Sequence, residues 1–207
     1  AALYQEMIGS QSRLNNGIQY AGYPFAFVKG HPFFGSDSLV NGSVVYDHIL
    51  YNDLNLMYDE LSDLLLVSLS GYRIQLSNER IAGFTIRNTS FVRLLRDSSQ
   101  KATVDKDGFY QVLYPGRIGV YKREVKTILE ELSSSEGTLR SILTNKTFYI
   151  RKGNGYYPAN SRKAILEIFG DHKKEVRDYI KDNGLNFKND PETVLVKAST
   201  YYEQLSN

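Results

Sequence analysis

YDHILYNDLNLMYDELSDLLLVSLSGYRIQLSNERIAGFTIRNTSFVRLL, residues 46–95, sets the architecture of this chain. Leu54, Leu64, Ile74, Phe84 and Leu94 recur every ten residues, each inside a short apolar or alternating segment. Turn-forming pieces separate them: Asp59-Glu60-Leu61-Ser62-Asp63, Ser70-Gly71, Ser77-Asn78-Glu79 and Arg87-Asn88-Thr89. Short strands spaced about 8–12 residues apart, with turn signals between them, predict an antiparallel meander. Leu64 to Leu69 is apolar on both faces, so it belongs in a central strand with Leu66 and Val67 buried on opposite sides. Tyr72, Ile74 and Leu76 alternate with Arg73 and Gln75, which leaves one face wet. Leu54, Leu56 and Tyr58 share a face by the period of two.

Beyond this stretch, Phe109–Tyr114 and Ile118–Lys122 flank Pro115-Gly116, a turn pair suited to type II geometry. Phe148-Tyr149-Ile150 and Tyr156-Tyr157 flank Gly153-Asn154-Gly155, a strong hairpin signal. Asp97 to Gly108 reads as a mobile polar loop, and Val125–Leu132 mixes strand-like and helix-like features. From Ser161 the apolar period becomes helical. Ser161 is a suitable N-cap for a helix through Ile165, Ile168 and Phe169, and Asp171 for one through Val176, Tyr179 and Ile180 that Gly184 ends. Asp190-Pro191-Glu192 supplies a cap, a first-turn proline and a first-turn acid for a third helix carrying Val194, Leu195, Ala198, Tyr201, Tyr202 and Leu205. Ahead of the meander, Leu3, Met7, Ile8 and Leu14 suggest a short helix stopped by Asn15-Asn16-Gly17. Ile18–Phe34 reads as an irregular, aromatic-rich segment packed on the sheet, with a strand at Phe25–Val28.

Strands first and helices last give an α+β protein: an antiparallel β-meander sheet or open barrel followed by a C-terminal cluster of about three helices. One domain is expected over residues 1–207, with an N-terminal helix and irregular segment (1–45), the meander (46–160) and helices docked on the sheet (161–207). The helices are expected to cover one face of Leu64–Leu69.

The chain has 207 residues and a formal net charge of +2, so whole-molecule attraction to nucleic acid or anionic membrane is not supported. It has no cysteine, which removes disulfides, thiolate metal sites and a cysteine nucleophile together. No apolar run reaches the ~18–20 residues of a membrane-spanning helix. The chain starts at Ala1-Ala2-Leu3 without methionine, which suits removal of a signal peptide.

Asn16-Gly17-Ile18-Gln19-Tyr20, Gly30-His31-Pro32-Phe33-Phe34 and Gly42-Ser43-Val44-Val45-Tyr46-Asp47 resemble markers of a family of uncharacterised proteins from Bacteroidetes-type bacteria. Leu56-Met57-Tyr58-Asp59, Phe109-Tyr110-Gln111-Val112-Leu113-Tyr114-Pro115-Gly116 and Leu185-Asn186-Phe187-Lys188-Asn189-Asp190 extend the resemblance over nearly the whole chain. It implies an exported protein of the periplasm or cell surface. The family has no assigned activity, so it transfers no functional residues. Asp190-Pro191 departs from its pattern, which has charged residues and no proline there.

His31, His48 and His172 are the only histidines and show no metal-ligand spacing; His48 reads as a solvated turn residue. Asp105-Lys106-Asp107-Gly108 starts like a calcium loop, but Phe109 and Gly116 occupy the fifth and twelfth positions, where that loop needs acids. No nucleophile elbow or phosphate-binding glycine loop is present. Acid pairs such as Asp59-Glu60 and Glu130-Glu131 read as solvated. Cations and aromatics interleave over Lys146–Lys163, as in single-strand nucleic-acid platforms, and equally as in an exposed hairpin beside a helix start. No catalytic residue, metal or cofactor is therefore expected, and no nucleic acid as partner. The reading is of a non-enzymatic binding or scaffolding protein. A dispersed-site hydrolase or carbohydrate-active enzyme, or a small-molecule or lipid carrier around a cavity, are the alternatives. Tyr46, Tyr51 and Tyr58, each near an aspartate, are the candidate ligand-binding residues, suited to a peptide, a glycan or an envelope protein. Full burial of all three rings would instead make them core.

Overall fold

The computed structural model describes Leu14 and residues 17–206. Apart from Leu14, which is buried, the expected N-terminal helix and the Asn15-Asn16 turn lie outside the described residues. The chain is α+β, and among the described residues eleven antiparallel strands are followed by three C-terminal helices. It divides into two compact units, Ala1–Arg93 with Glu124–Asn145 and Leu94–Arg123 with Lys146–Asn207.

The first unit contains β1 (Ile18–Gln19), β2 (Val40–Tyr46), β3 (Ile49–Asp59), β4 (Leu64–Leu69), β5 (Tyr72–Gln75), β6 (Ile81–Ile86) and β7 (Thr89–Leu94). Four of the expected breaks are the turns of this sheet, and each residue of the ten-residue beat lies in its own strand. Leu66 and Val67 are both fully buried, and β4 sits between β3 and β5. The spatial order is β1-β5-β4-β3-β2-β6-β7. The chain thus makes hairpins from β2 to β5 and then returns to place β6 beside β2, which departs from a simple meander.

A strong curl of β3 allows that return. The short turn Asn78–Arg80 touches the turns that flank this strand on either side. Asn78 Nδ2 donates to the Asp63 carbonyl at 2.7 Å, and the Arg80 guanidinium pairs through two nitrogens with Asp47. A flat strand of eleven residues would hold its ends some ~35 Å apart, so β3 must bend. Asp53, with φ +56° in mid-strand, marks the bend, opposite a register shift between Gly42 and Val44. A side chain at Gly42 would put its Cβ 2.1 Å from the Thr85 carbonyl oxygen, so the irregular pairing needs glycine there. β3 runs unbroken through Asn52-Asp53.

Within the first unit, β4 and β3 have a cover of their own. Leu66 and Met57 pack with Phe33, and Tyr20, Leu39 and Leu64 complete the cover. The irregular segment after β1 therefore seals this face. Phe25–Val28 is not a strand, but its end lies along the long strand that includes Arg140–Ile142: Val28 N–H donates to Arg140 C=O and Ile142 N–H to Lys29 C=O, both at 2.9 Å.

The second unit contains β8 (Gly108–Tyr114), β11 (Gly155–Pro158) and helices α1 (Arg162–Ile168), α2 (Lys173–Asp182) and α3 (Pro191–Leu205). The long strands β9 (Gly119–Ser133) and β10 (Gly137–Lys152) each carry a unit boundary, so Val125–Leu132 is strand. Ile165, Phe169, Val176, Ile180, Leu195 and Tyr202 pack on Ile118, Val120, Phe148 and Ile150. Ser161 and Asp190 cap α1 and α3 as expected, accepting from Ala164 N–H at 3.1 Å and Thr193 N–H at 3.0 Å. Asp171 does not cap α2. Its carboxyl accepts from the Tyr202 hydroxyl at 2.6 Å and from Lys152 Nζ at 2.9 Å, tying α3 and β10 to the turn before α2.

Two measurements test this packing. Truncation after Asn160 uncovers Ile118, Val120, Phe148 and Ile150, and is expected to give an aggregating or molten fragment. A soluble fragment that unfolds cooperatively near the full-length midpoint would contradict the packing. The second concerns Asp171, whose carboxyl is held down at about 2 by the Tyr202 hydroxyl first and by Lys152 next. A depressed carboxyl stabilises the fold above its unfolded pKa of about 3.9, and that contribution is lost as pH falls through the folded value. The midpoint difference between wild type and Tyr202→Phe should be full at neutral pH and shrink between about pH 4 and 2. The Asp171 side chain is 53% exposed, so solvent screening keeps the effect modest.

Candidate functional site

Tyr46, Tyr51 and Tyr58 are core residues, at 0%, 6% and 3% exposure. Tyr58 packs edge-on against Phe84 and Phe91, with centroids 5.2 and 5.3 Å away, and its hydroxyl donates to Asp63 at 2.7 Å. Arg80 lies 4.6 Å from the Tyr46 ring centre. Tyr46 ends β2 and Tyr51 and Tyr58 lie in β3, all three turned inward, and no ring face is left for a ligand. The sequence reading of these three as ligand-binding is corrected accordingly: they fill the sheet.

Nor are the acids of the β3–β4 turn solvated. Asp59 and Glu60 are both buried. Asp59 Oδ1 accepts from the N–H groups of Leu61 and Ser62, at 2.9 and 3.1 Å, and Oδ2 from the hydroxyls of Tyr20 and Tyr23, both at 2.8 Å. Burial first, and then the Asp59 carboxyl, pushes the Tyr20 hydroxyl far up; burial is also the main cause that raises Tyr23, to about 12. Both stay protonated donors. Glu60 Oε2 lies 3.1 Å from Lys126 Nζ, with both side chains buried, and the same ammonium donates to the Phe33 carbonyl. Backbone bonds run alongside: Glu60 N–H to Pro32 C=O at 2.9 Å and Lys126 N–H to Glu60 C=O at 3.2 Å. These acids hold three distant segments together, a structural role.

The histidines are apart. His48 is exposed in the β2–β3 turn, His31 stacks on Phe33 and His172 meets the Tyr202 ring edge-on. Among the described residues no three histidines or acids gather as a metal-binding group. Asp105 accepts from the Tyr149 hydroxyl at 2.7 Å, and Asp107 Oδ1 from Arg96 N–H at 2.7 Å.

The most developed hollow among those described is a surface groove of about 820 Å³ in the second unit, where α1 starts and the α2–α3 connection passes. Ile180, Leu185 and Phe187 give its apolar part, and Arg162, Lys181 and Lys188 are exposed around it. Gly184, at φ +61°, turns the chain out of α2 in the left-handed conformation that favours glycine, and sends Leu185 and Phe187 back onto the helical core. Its size falls in the ~300–1,000 Å³ range of ligand sites. The sequence reading noted Arg162 within its cation–aromatic run and quoted Leu185–Lys188 as a marker. It could not bring them together, because the groove forms where two separate helix ends meet. No family model matches this chain, and neither a curated protein nor a solved structure is significantly similar to it.

The buried ion pair yields a test. Lys126→Met leaves Glu60 buried without its cation and should cost about 3–5 kcal/mol, whereas Glu60→Leu with Lys126→Met should recover most of that loss. Urea unfolding of the single and double variants measures both. Equal losses would show that the pair is not desolvated as described.

Proposed function

We propose that this chain is a non-enzymatic binding or scaffolding protein that engages its ligand at the groove around Phe187. The observation that carries the reading is how the buried ionisable groups are spent. Asp59 is occupied by four donors, Glu60 by Lys126, and Lys122 by Glu192 at 2.9 Å. Hydrolysis by a pair of acids needs carboxyls presented to substrate across a cleft, and these are turned to structural partners. A carrier needs an enclosed chamber, and the groove is open to solvent. An exported location, in the periplasm or at the cell surface, rests on the family resemblance. Recovery of the native gene product in the cytoplasmic fraction would overturn it.

Thermal unfolding against peptide and glycan collections tests the reading, with the same mixtures then analysed by mass spectrometry. A ligand at about 100 times its Kd should stabilise the protein by about 2.7 kcal/mol and be recovered intact. Ligand cleavage that is lost when one of the chain's own acids is substituted would overturn the proposal.

A further inference from the structure

We infer that the groove takes an acidic peptide segment, with carboxylates set beside an apolar residue; this rests on the binding reading above. The inference comes from which hydrogen-bonding atoms are already spent. Asn160 Oδ1 accepts from Phe148 N–H at 2.7 Å, Ser161 Oγ from Ala164 N–H at 3.1 Å and Asn186 Oδ1 from Lys188 N–H at 3.0 Å. Because backbone N–H groups are the donors, both amide orientations are fixed. The carbonyls of Ile180 and Lys181 accept from Leu185 and Gly184, both at 3.0 Å, and that of Asn186 from Asn189 and Asp190.

The side chains along the groove therefore keep mainly donors: the two amide NH₂ groups, the Ser161 hydroxyl proton and the cations of Arg162, Lys181 and Lys188. Among the described residues none of those three cations is held in an ion pair. Two nearby acids are committed elsewhere, Asp190 to the Thr193 N–H and Glu192 to Lys122. A donor-rich, cationic rim selects an acceptor-rich anion. The apolar part made by Ile180, Leu185 and Phe187 selects against a ligand that is anionic throughout, since such a ligand would leave it wet. Phe187 is half-buried and set edge-on to Phe148, so it offers one aromatic surface and not the row of stacking rings that single strands use. Acidic side chains alternating with an apolar one meet both conditions.

The full chain would be titrated by fluorescence anisotropy with a labelled octapeptide alternating Glu and Leu, and with its Gln-for-Glu counterpart. Saturable binding of the acidic peptide is expected. It should weaken about tenfold or more, equivalent to about 1.4 kcal/mol, for the Gln peptide and for the exposed pair Lys181→Glu with Lys188→Glu. Phe187→Ala should weaken it as well. Circular dichroism of the charge-reversal variant checks that its fold is kept. Absence of saturable binding, or binding indifferent to the charge reversal, would overturn the inference. So would tighter binding of oligothymidylate or polygalacturonate that Phe187→Ala leaves unchanged. A ligand found at another surface would overturn the inference and the placement at this groove while leaving a non-enzymatic binding role, whereas cleavage of the octapeptide would strike that role as well.

Discussion

The contact between Glu60 and Lys126 fixes the first unit more than any apolar patch could. An apolar surface tolerates sliding, because hydrophobic burial has no direction. A buried charge pair does not, since displacement leaves two desolvated ions. Lys126 meets Glu60 through both side chain and backbone, and meets the Phe33 carbonyl with the same ammonium. Phe33 in turn bridges Asp59, and its ring lies on Met57 and Leu66. A slip of one residue would turn Phe33 to the wrong face and leave Leu66 uncovered. The irregular segment can therefore do the work of a covering helix without regular structure of its own, because polar bonds set its register.

Asp59 extends the same logic at the next residue. Neighbours in a strand point to opposite sides, so Asp59 and Glu60 fasten different parts of the chain from one turn. The Tyr20 and Tyr23 hydroxyls reach Asp59 from the covering segment, and the Tyr23 hydroxyl also meets Ser62 at 2.7 Å. Part of the high tyrosine content is explained here. A tyrosine can bury its ring and still deliver a donor to a buried carboxyl, which phenylalanine cannot.

The features readable from residues alone were those set by local chemistry. The ten-residue beat from Leu54 to Leu94 marks strands because burial and turns alternate along the chain. Ser161 and Asp190 cap helices because a short oxygen-bearing side chain satisfies the next free N–H groups. Asp171 has the same qualification and a different role, because Tyr202 and Lys152, distant in sequence, compete for its carboxyl. Pairing of β6 with β2 was hidden for a similar reason: periodicity tells which residues are buried and not which strand lies alongside. Tyr51 and Tyr58 are buried on either side of the irregularity at Asp53, a positive-φ residue in mid-strand that the alternation of the sequence does not reveal.

The groove's donor character follows from the same helix-end chemistry. Every helix start leaves N–H groups without intrahelical partners, and every helix end leaves carbonyls. Between Asn160 and Thr193, α1 begins, α2 ends and α3 begins, with short connections that must satisfy all of these groups. Ser161, Asn186 and Asp190 supply acceptors to N–H groups, while the carbonyls at the end of α2 accept from Gly184 and Leu185. With one acceptor site on each oxygen taken by the backbone, the Ser161 and Asn186 side chains turn mainly donors outward. The chemistry offered to a ligand is thus what the folding of the helix ends leaves over, and cations at Arg162, Lys181 and Lys188 reinforce a bias that the caps already impose.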